Sequence, residues 1–212
     1  MLTGIGAIGA AAVSIFYLRK QIAYAAIQET ARRARRFTAA RARLPLLLSD
    51  TTQYAKDAMD LLRRYLDAAE GQDEGTEALA NEPRPVLPDA AILSFETIIE
   101  TTEDDKFANV IADMISQMQV LNSRLRGLVS EPQGLSSENL QSYLMNAAKV
   151  YGYAASMYEF ARRETNEPPH RLNWDNAISG LRLQGMYEYD YRDLHAFMGR
   201  ARDRDHAAEE AG

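Results

Sequence analysis

The sequence predicts an all-α protein carried on an N-terminal single-pass transmembrane helix, on the strength of three observations. Residues Leu2 to Leu18 carry no charge, and Arg19 and Lys20 close the run. Downstream, apolar residues recur three and four positions apart in one segment after another, which is the period of a helix face. Alternation of the strand type is confined to Tyr187, Tyr189 and Tyr191, too short a stretch to build a sheet.

The chain has 212 residues, 46% of them hydrophobic, which suits one globular core plus an anchor. It has no cysteine, which excludes disulfide staples, thiol nucleophiles and thiolate metal sites together. Arginine far outnumbers lysine and alanine is abundant, a skew that matches a GC-rich bacterial genome. The net charge of −6 hides a split: residues 1–43 sum to +7 and residues 44–212 to −13. A basic collar beside an apolar segment meets anionic headgroups, and an acidic body is repelled by them.

Residues 1–18 are expected to form the anchor. A spanning helix needs about 20 apolar residues, with about 17 as the lower limit, so this segment is barely long enough. Tyr17 falls where an amphipathic ring favours the interface, and Arg19 and Lys20 can snorkel to the headgroups. The positive-inside bias places the body in the cytoplasm of a bacterial inner membrane with the N-terminus outside. A buried or oligomer-forming helix is one alternative. A cleaved signal is another, although no basic side chain precedes the apolar run. Gly6, Ala10 and Ser14 fall four apart, a spacing that lets helix backbones approach within lipid and makes these residues candidates for self-association. A Gly/Ala-rich segment also produces such matches by chance.

Residues 19–44 lack Gly and Pro and read as a basic juxtamembrane helix, expected to stop at Pro45. Arg19, Lys20, Arg32, Arg33, Arg35 and Arg36 are its candidate contacts with anionic lipid. Nucleic acid is the disfavoured partner, because the rest of the chain is acidic and only Phe37 offers a nearby ring.

Residues 45–202 are expected to form the bundle. A helix opening near Pro45 carries Leu47, Thr51, Tyr54, Ala58, Leu61 and Tyr65 on one face, with Asp57, Asp60, Arg64 and Asp67 on the others, and ends near Gly71. Residues 71–88, with Pro83, Pro85 and Pro88, read as a mobile linker. A short helix follows with Ile92, Phe95 and Ile99. The capping-box-like run Thr101 to Asp105 then opens a long helix carrying Phe107, Val110, Met114, Met118, Leu121, Leu125 and Leu128. Ser136 and Ser137 cap another helix, whose stripe from Leu140 and Leu144 through Tyr151 and Tyr158 to Ala161 is broad enough to meet several neighbours. Pro168 and Pro169 break the pattern, Asn173 caps a helix with Trp174, Ile178 and Leu181 inward, and Leu194, Phe197 and Met198 mark a last one. Residues 203–212 are expected to be a disordered tail.

Two clusters could carry chemistry. Glu96, Glu100, Glu103, Asp104 and Asp105 crowd one helix junction, where paired carboxylates could hold a cation or act as acid and base. Helix dipoles and solvation account for acids at such a place equally well. Glu188, Asp190, Asp193 and His195 could make a hydrolytic site, but their spacing fits no ligand motif. The turn before Trp174 is a plausible place for a groove. No cofactor fingerprint or metal-ligand spacing is present. The expected role is therefore non-enzymatic: a membrane-tethered interaction or scaffolding module with an unidentified protein partner. A membrane effector oligomerising through the N-terminal helix is the alternative, and a hydrolase comes third.

Overall fold

The protein, seen in a computed structural model, is described over residues 3–71, 79, 82–130 and 136–210; of residues 3–15, 129, 130 and 209 only the backbone is described. It is all-helical, with no strand among the described residues. The helices are α1 (Thr3–Ala69), α2 (Asp89–Thr101), α3 (Asp105–Ser130), α4 (Ser137–Ser156), the single turn α5 (Tyr158–Ala161), α6 (Trp174–Leu183) and α7 (Arg192–Glu210). Helix α4 is the hub: it packs on α1, α3, α6 and α7, while α2 bridges α1 and α3.

The expected break at Pro45 does not occur. Helix α1 runs through it for 67 residues, about 100 Å at 1.5 Å per residue. Proline inside a helix costs roughly 3 kcal/mol. Leu44, Leu47 and Leu48, on both sides of it, are buried in one core, and burial contributes roughly 1.5–3 kcal/mol for each such side chain. Packing therefore outweighs the proline. The helix ends at Gly71, whose φ of 73° is the left-handed conformation that glycine adopts without strain.

Two of the predicted apolar stripes are buried throughout. From Leu47 to Tyr65 on α1, and from Phe107 to Leu128 on α3, every residue of the stripe is buried. Ser136 caps α4 by accepting from the Asn139 amide at 3.2 Å, and the Asn173 side chain accepts from the Asp175 and Asn176 amides at the start of α6. The cap of α3 is Asp104, which accepts from the Phe107 amide at 3.0 Å. Thr102 in turn accepts from the Asp104 amide at 3.2 Å.

Other expectations are corrected. The stripe from Leu140 to Ala161 is not one helix: it is interrupted at Met157, whose amide reaches back only three residues to the Ala154 carbonyl. Asp67, assigned to an outer face, is buried at 8% exposure. The tyrosines 187, 189 and 191 lie in turns at the entrance to α7, with the rings of Tyr187 and Tyr189 stacked at 5.5 Å. Helix α7 continues past Arg202 to Glu210, held by buried Ala201 and by Lys149 pairing with Asp205 at 3.2 Å. Within the predicted linker, Leu79 and Leu87 pack on the core and Glu82 pairs with Arg64; residues 72–78, 80 and 81 lie outside the described residues.

Among the described residues, no helix is long and apolar enough to cross a membrane. The described helix begins at Thr3, so a segment of spanning length runs into Arg19 and Lys20. Met1, Leu2 and the side chains of the remaining anchor positions through Ile15, including Gly6, Ala10 and Ser14, lie outside the described residues.

Candidate functional site

Helix α1 divides into two lengths with opposite surroundings. From Leu44 to Asp67 it is the wall of the core, whereas from Phe16 to Arg36 every residue is exposed. The first side chains of α1 to pack on the core are Phe37 and Ala40, with Arg41 hydrogen-bonded to the body beside them. The exposed length is not polar all round: Tyr17, Tyr24 and Ile27 are 60%, 64% and 67% exposed. Isolated apolar side chains on a surface are ordinary; here several recur along one exposed length of helix.

The candidate lipid contacts all sit on this projecting length. Arg33 pairs with Glu29 at 3.5 Å, Arg35 donates to the Ala31 carbonyl at 3.2 Å, and Arg36 lies 3.8 Å from Glu100. All three arrangements are exposed, so they contribute little to stability and leave the guanidinium groups accessible. Arg41 behaves differently. Its guanidinium donates to the Phe160 carbonyl at 2.7 and 3.0 Å and to the Thr165 carbonyl at 2.8 Å, and it stacks 3.8 Å above the Phe160 ring. It clamps the projecting helix to the carbonyl end of α5, where a cation is favoured.

The first acidic cluster is dispersed. Asp104 is spent on the α3 cap and on His170 at 2.8 Å; the Phe107 amide and His170 hold its carboxyl below the usual range. Glu100 faces Arg36, and Glu96, Glu103 and Asp105 are exposed. Of the second cluster, Glu188 and His195 line one cavity of about 420 Å³ with Asp175 and Arg182; His195 Nε2 lies 3.0 Å from the Met186 carbonyl, and Asp190 and Asp193 are exposed. No group of three or more His, Asp or Glu among the described residues is arranged to hold a metal ion.

Sequence reasoning missed the polar cluster where α1 meets the entrance to α7. The Tyr191 hydroxyl donates to Asp67 Oδ1 at 2.8 Å, and Arg63 bridges Asp67 and Asp60 at 3.2 and 3.1 Å. Arg64 joins Asp60 to Glu82. Burial and the bond to Asp67 push the Tyr191 phenol up to about 12. The Arg63–Asp67 spacing of four was visible in the sequence, but Tyr191, 124 positions away from Asp67, was not a visible partner. The cluster ties the start of α7 to α1.

A cavity of about 820 Å³ opens where the turn before Trp174 predicted a groove, lined by His170, Arg171, Leu172, Asn173 and Arg202 among others. Trp174 itself is buried beneath the Lys149 ammonium, 4.8 Å from the ring centre, so it cannot serve as an exposed anchor for a partner. No protein family, curated protein or solved structure matches this chain.

Proposed function

We propose that this chain is a membrane-tethered interaction module: a helical body carried on α1, with residues 1–18 in the inner membrane of a bacterium and the body on the cytoplasmic side. The observation that carries this is the uninterrupted exposure of α1 from Phe16 to Arg36. A water-exposed helix of that length, continuous with an uncharged run, has the form of a stalk between a bilayer and a folded body. The proposed role is non-enzymatic; the cluster from Glu96 to Asp105 is taken up by a helix cap, an ion pair and solvent.

The continuity of α1 adds a distance. From Leu18 to Leu44, where the core begins, the helix rises about 39 Å. A body of net −13 held that far off is screened from an anionic leaflet, since the Debye length is about 8 Å under physiological conditions. Arg19 and Lys20 reach the headgroups directly. Arg32 lies about 21 Å beyond Leu18 along the axis, so the cluster from Arg32 to Arg36 touches lipid only where α1 leans onto the surface.

Fractionation tests the tether. The full chain should pellet with membranes and resist alkaline extraction, and a fragment starting near Arg43 should remain in the supernatant. A periplasm-dependent reporter fused after Gly212 should be silent. Full chain in the soluble fraction would remove the tether, and an active reporter would reverse the orientation.

A further inference from the structure

We propose that the exposed length of α1 pairs in parallel with the same helix of a second copy. The seam is Tyr17, Lys20, Tyr24, Ile27, Ala31 and Ala34, spaced 3, 4, 3, 4 and 3 along the chain. That alternation is the 3.5-residue repeat by which two helices keep one stripe in contact as they supercoil. All six residues are exposed. The same register continues backward through Val13, Ala10 and Gly6, into the segment assigned to the membrane. There, small residues allow close helix approach.

Charge distinguishes a second copy from other occupants. Arg19, Glu29, Arg32, Arg33 and Arg36 all fall on the outer positions of this repeat, away from the seam and its flanks. The flanks hold Phe16, Gln21, Ala23, Gln28 and Thr30, with Arg35 alone charged. A partner of acidic character would need cations along the flanks, where its own charges would lie. An uncharged flank instead lets identical helices meet without repulsion. Lys20 is the one charged seam residue; a polar group at a single seam position fixes register at some cost in stability.

Size is consistent with this. Paired from Thr3 to Thr38, two helices share a strip about 54 Å long and roughly 10 Å wide. That buries on the order of 1,000 Å² counting both copies, the lower bound for a specific interface. Leu18 and Ile22 point away from the seam and are 57% and 60% exposed, so they remain free to face lipid at the membrane boundary. The parallel sense rests on the tether reading, because a shared bilayer puts both anchors at one end.

The chain's lack of cysteine makes it a clean background for disulfide mapping. Single cysteines would be placed in the full chain, in isolated membranes treated with a mild oxidant, at the seam (Tyr24→Cys, Ile27→Cys, Ala31→Cys, Ala34→Cys) and off it (Ile22→Cys, Ala26→Cys, Glu29→Cys, Arg33→Cys). A disulfide needs Cα atoms within about 7 Å. Across helices about 8–10 Å apart, outward-facing pairs stand roughly 13 Å or more from each other. Covalent dimer should therefore form at least about five-fold faster at seam positions than elsewhere. Membrane-bound chain with no such periodicity would overturn the pairing and leave the tether standing. Periodic crosslinks in a soluble chain would keep the pairing and remove the tether. Equal crosslinking at all eight positions would show collision without a seam, and overturns the proposal.

Discussion

Replacing Gly152 with alanine, against the same replacement at Gly127, measures how closely α4 and α6 approach. A Cβ at Gly152 would stand 2.9 Å from the Ala177 Cβ, 3.0 Å from the Ala177 backbone nitrogen and 3.0 Å from the Leu172 Cδ1. Two of those three atoms belong to the neighbouring helix's own backbone or its first side-chain carbon, and they cannot swing aside. A Cβ at Gly127 would meet nothing within 4 Å. Both positions are helical, so both gain roughly 0.5–1 kcal/mol from losing a glycine in a helix. Only Gly152→Ala also carries an overpacking cost of about 1–3 kcal/mol. Gly127→Ala should therefore stabilise by roughly 0.5–1 kcal/mol, and Gly152→Ala should lie about 1–3 kcal/mol below it. In a body of this size, 1 kcal/mol moves Tm by about 2–4 °C. Helical circular dichroism during thermal unfolding would read the difference, with the full chain in mild detergent at one protein concentration, because self-association shifts apparent stability. Equal rises in Tm for both variants would refute the close approach of α4 and α6.

The polar cluster gives a second test: Tyr191→Phe should cost about 1–2 kcal/mol through the lost bond to a carboxylate. Asp67→Asn should cost about 1–3 kcal/mol in denaturant titration, as it strips the partly exposed Arg63 of a buried counter-charge; a neutral Tyr191→Phe would show that the hydroxyl bond is not made. Alkaline titration gives a third. Tyr191 is pushed up to about 12 from an ordinary value near 10, and Tyr54, Tyr65 and Tyr151 are also raised. A folded-state pKa above the unfolded one means stability that is intact below about pH 10 and is lost as pH climbs toward the folded value. The part of the phenolate absorbance that Tyr191→Phe removes should accordingly appear together with loss of helix; its appearance near pH 10 in a chain that stays helical would contradict this. Finally, Arg41→Lys should destabilise nearly as much as Arg41→Ala, by about 1–2 kcal/mol, since an ammonium cannot reproduce the forked bonds and ring stacking. Full stability in the lysine variant would mean that charge alone holds the clamp.

Local signals in this chain were readable because they act over a few residues. The stripes of α1 and α3 follow from side chains that face one way at helical period, and water alone drives that face inward. Ser136 and Asn173 were readable as caps because a short polar side chain ahead of a helix satisfies amides two or three residues on. The charge split and the missing cysteine needed only counting. What went unread depended on partners distant in the chain. Pro45 marks a helix end until Leu44, Leu47 and Leu48 share a core that outweighs it. Asp67 belongs on the wet face until Tyr191 arrives from the other end of the sequence. Arg41 looks like one more cation of the collar until it meets the carbonyls of Phe160 and Thr165. The sequence by itself determined the helical class, the inward faces and the uncharged segment, since hydrophobic period and backbone propensity are local. Tertiary structure alone decided that α1 is one helix, part core and part exposed stalk, because proline and buried charge are tolerated only where remote packing and hydrogen bonding offset their cost.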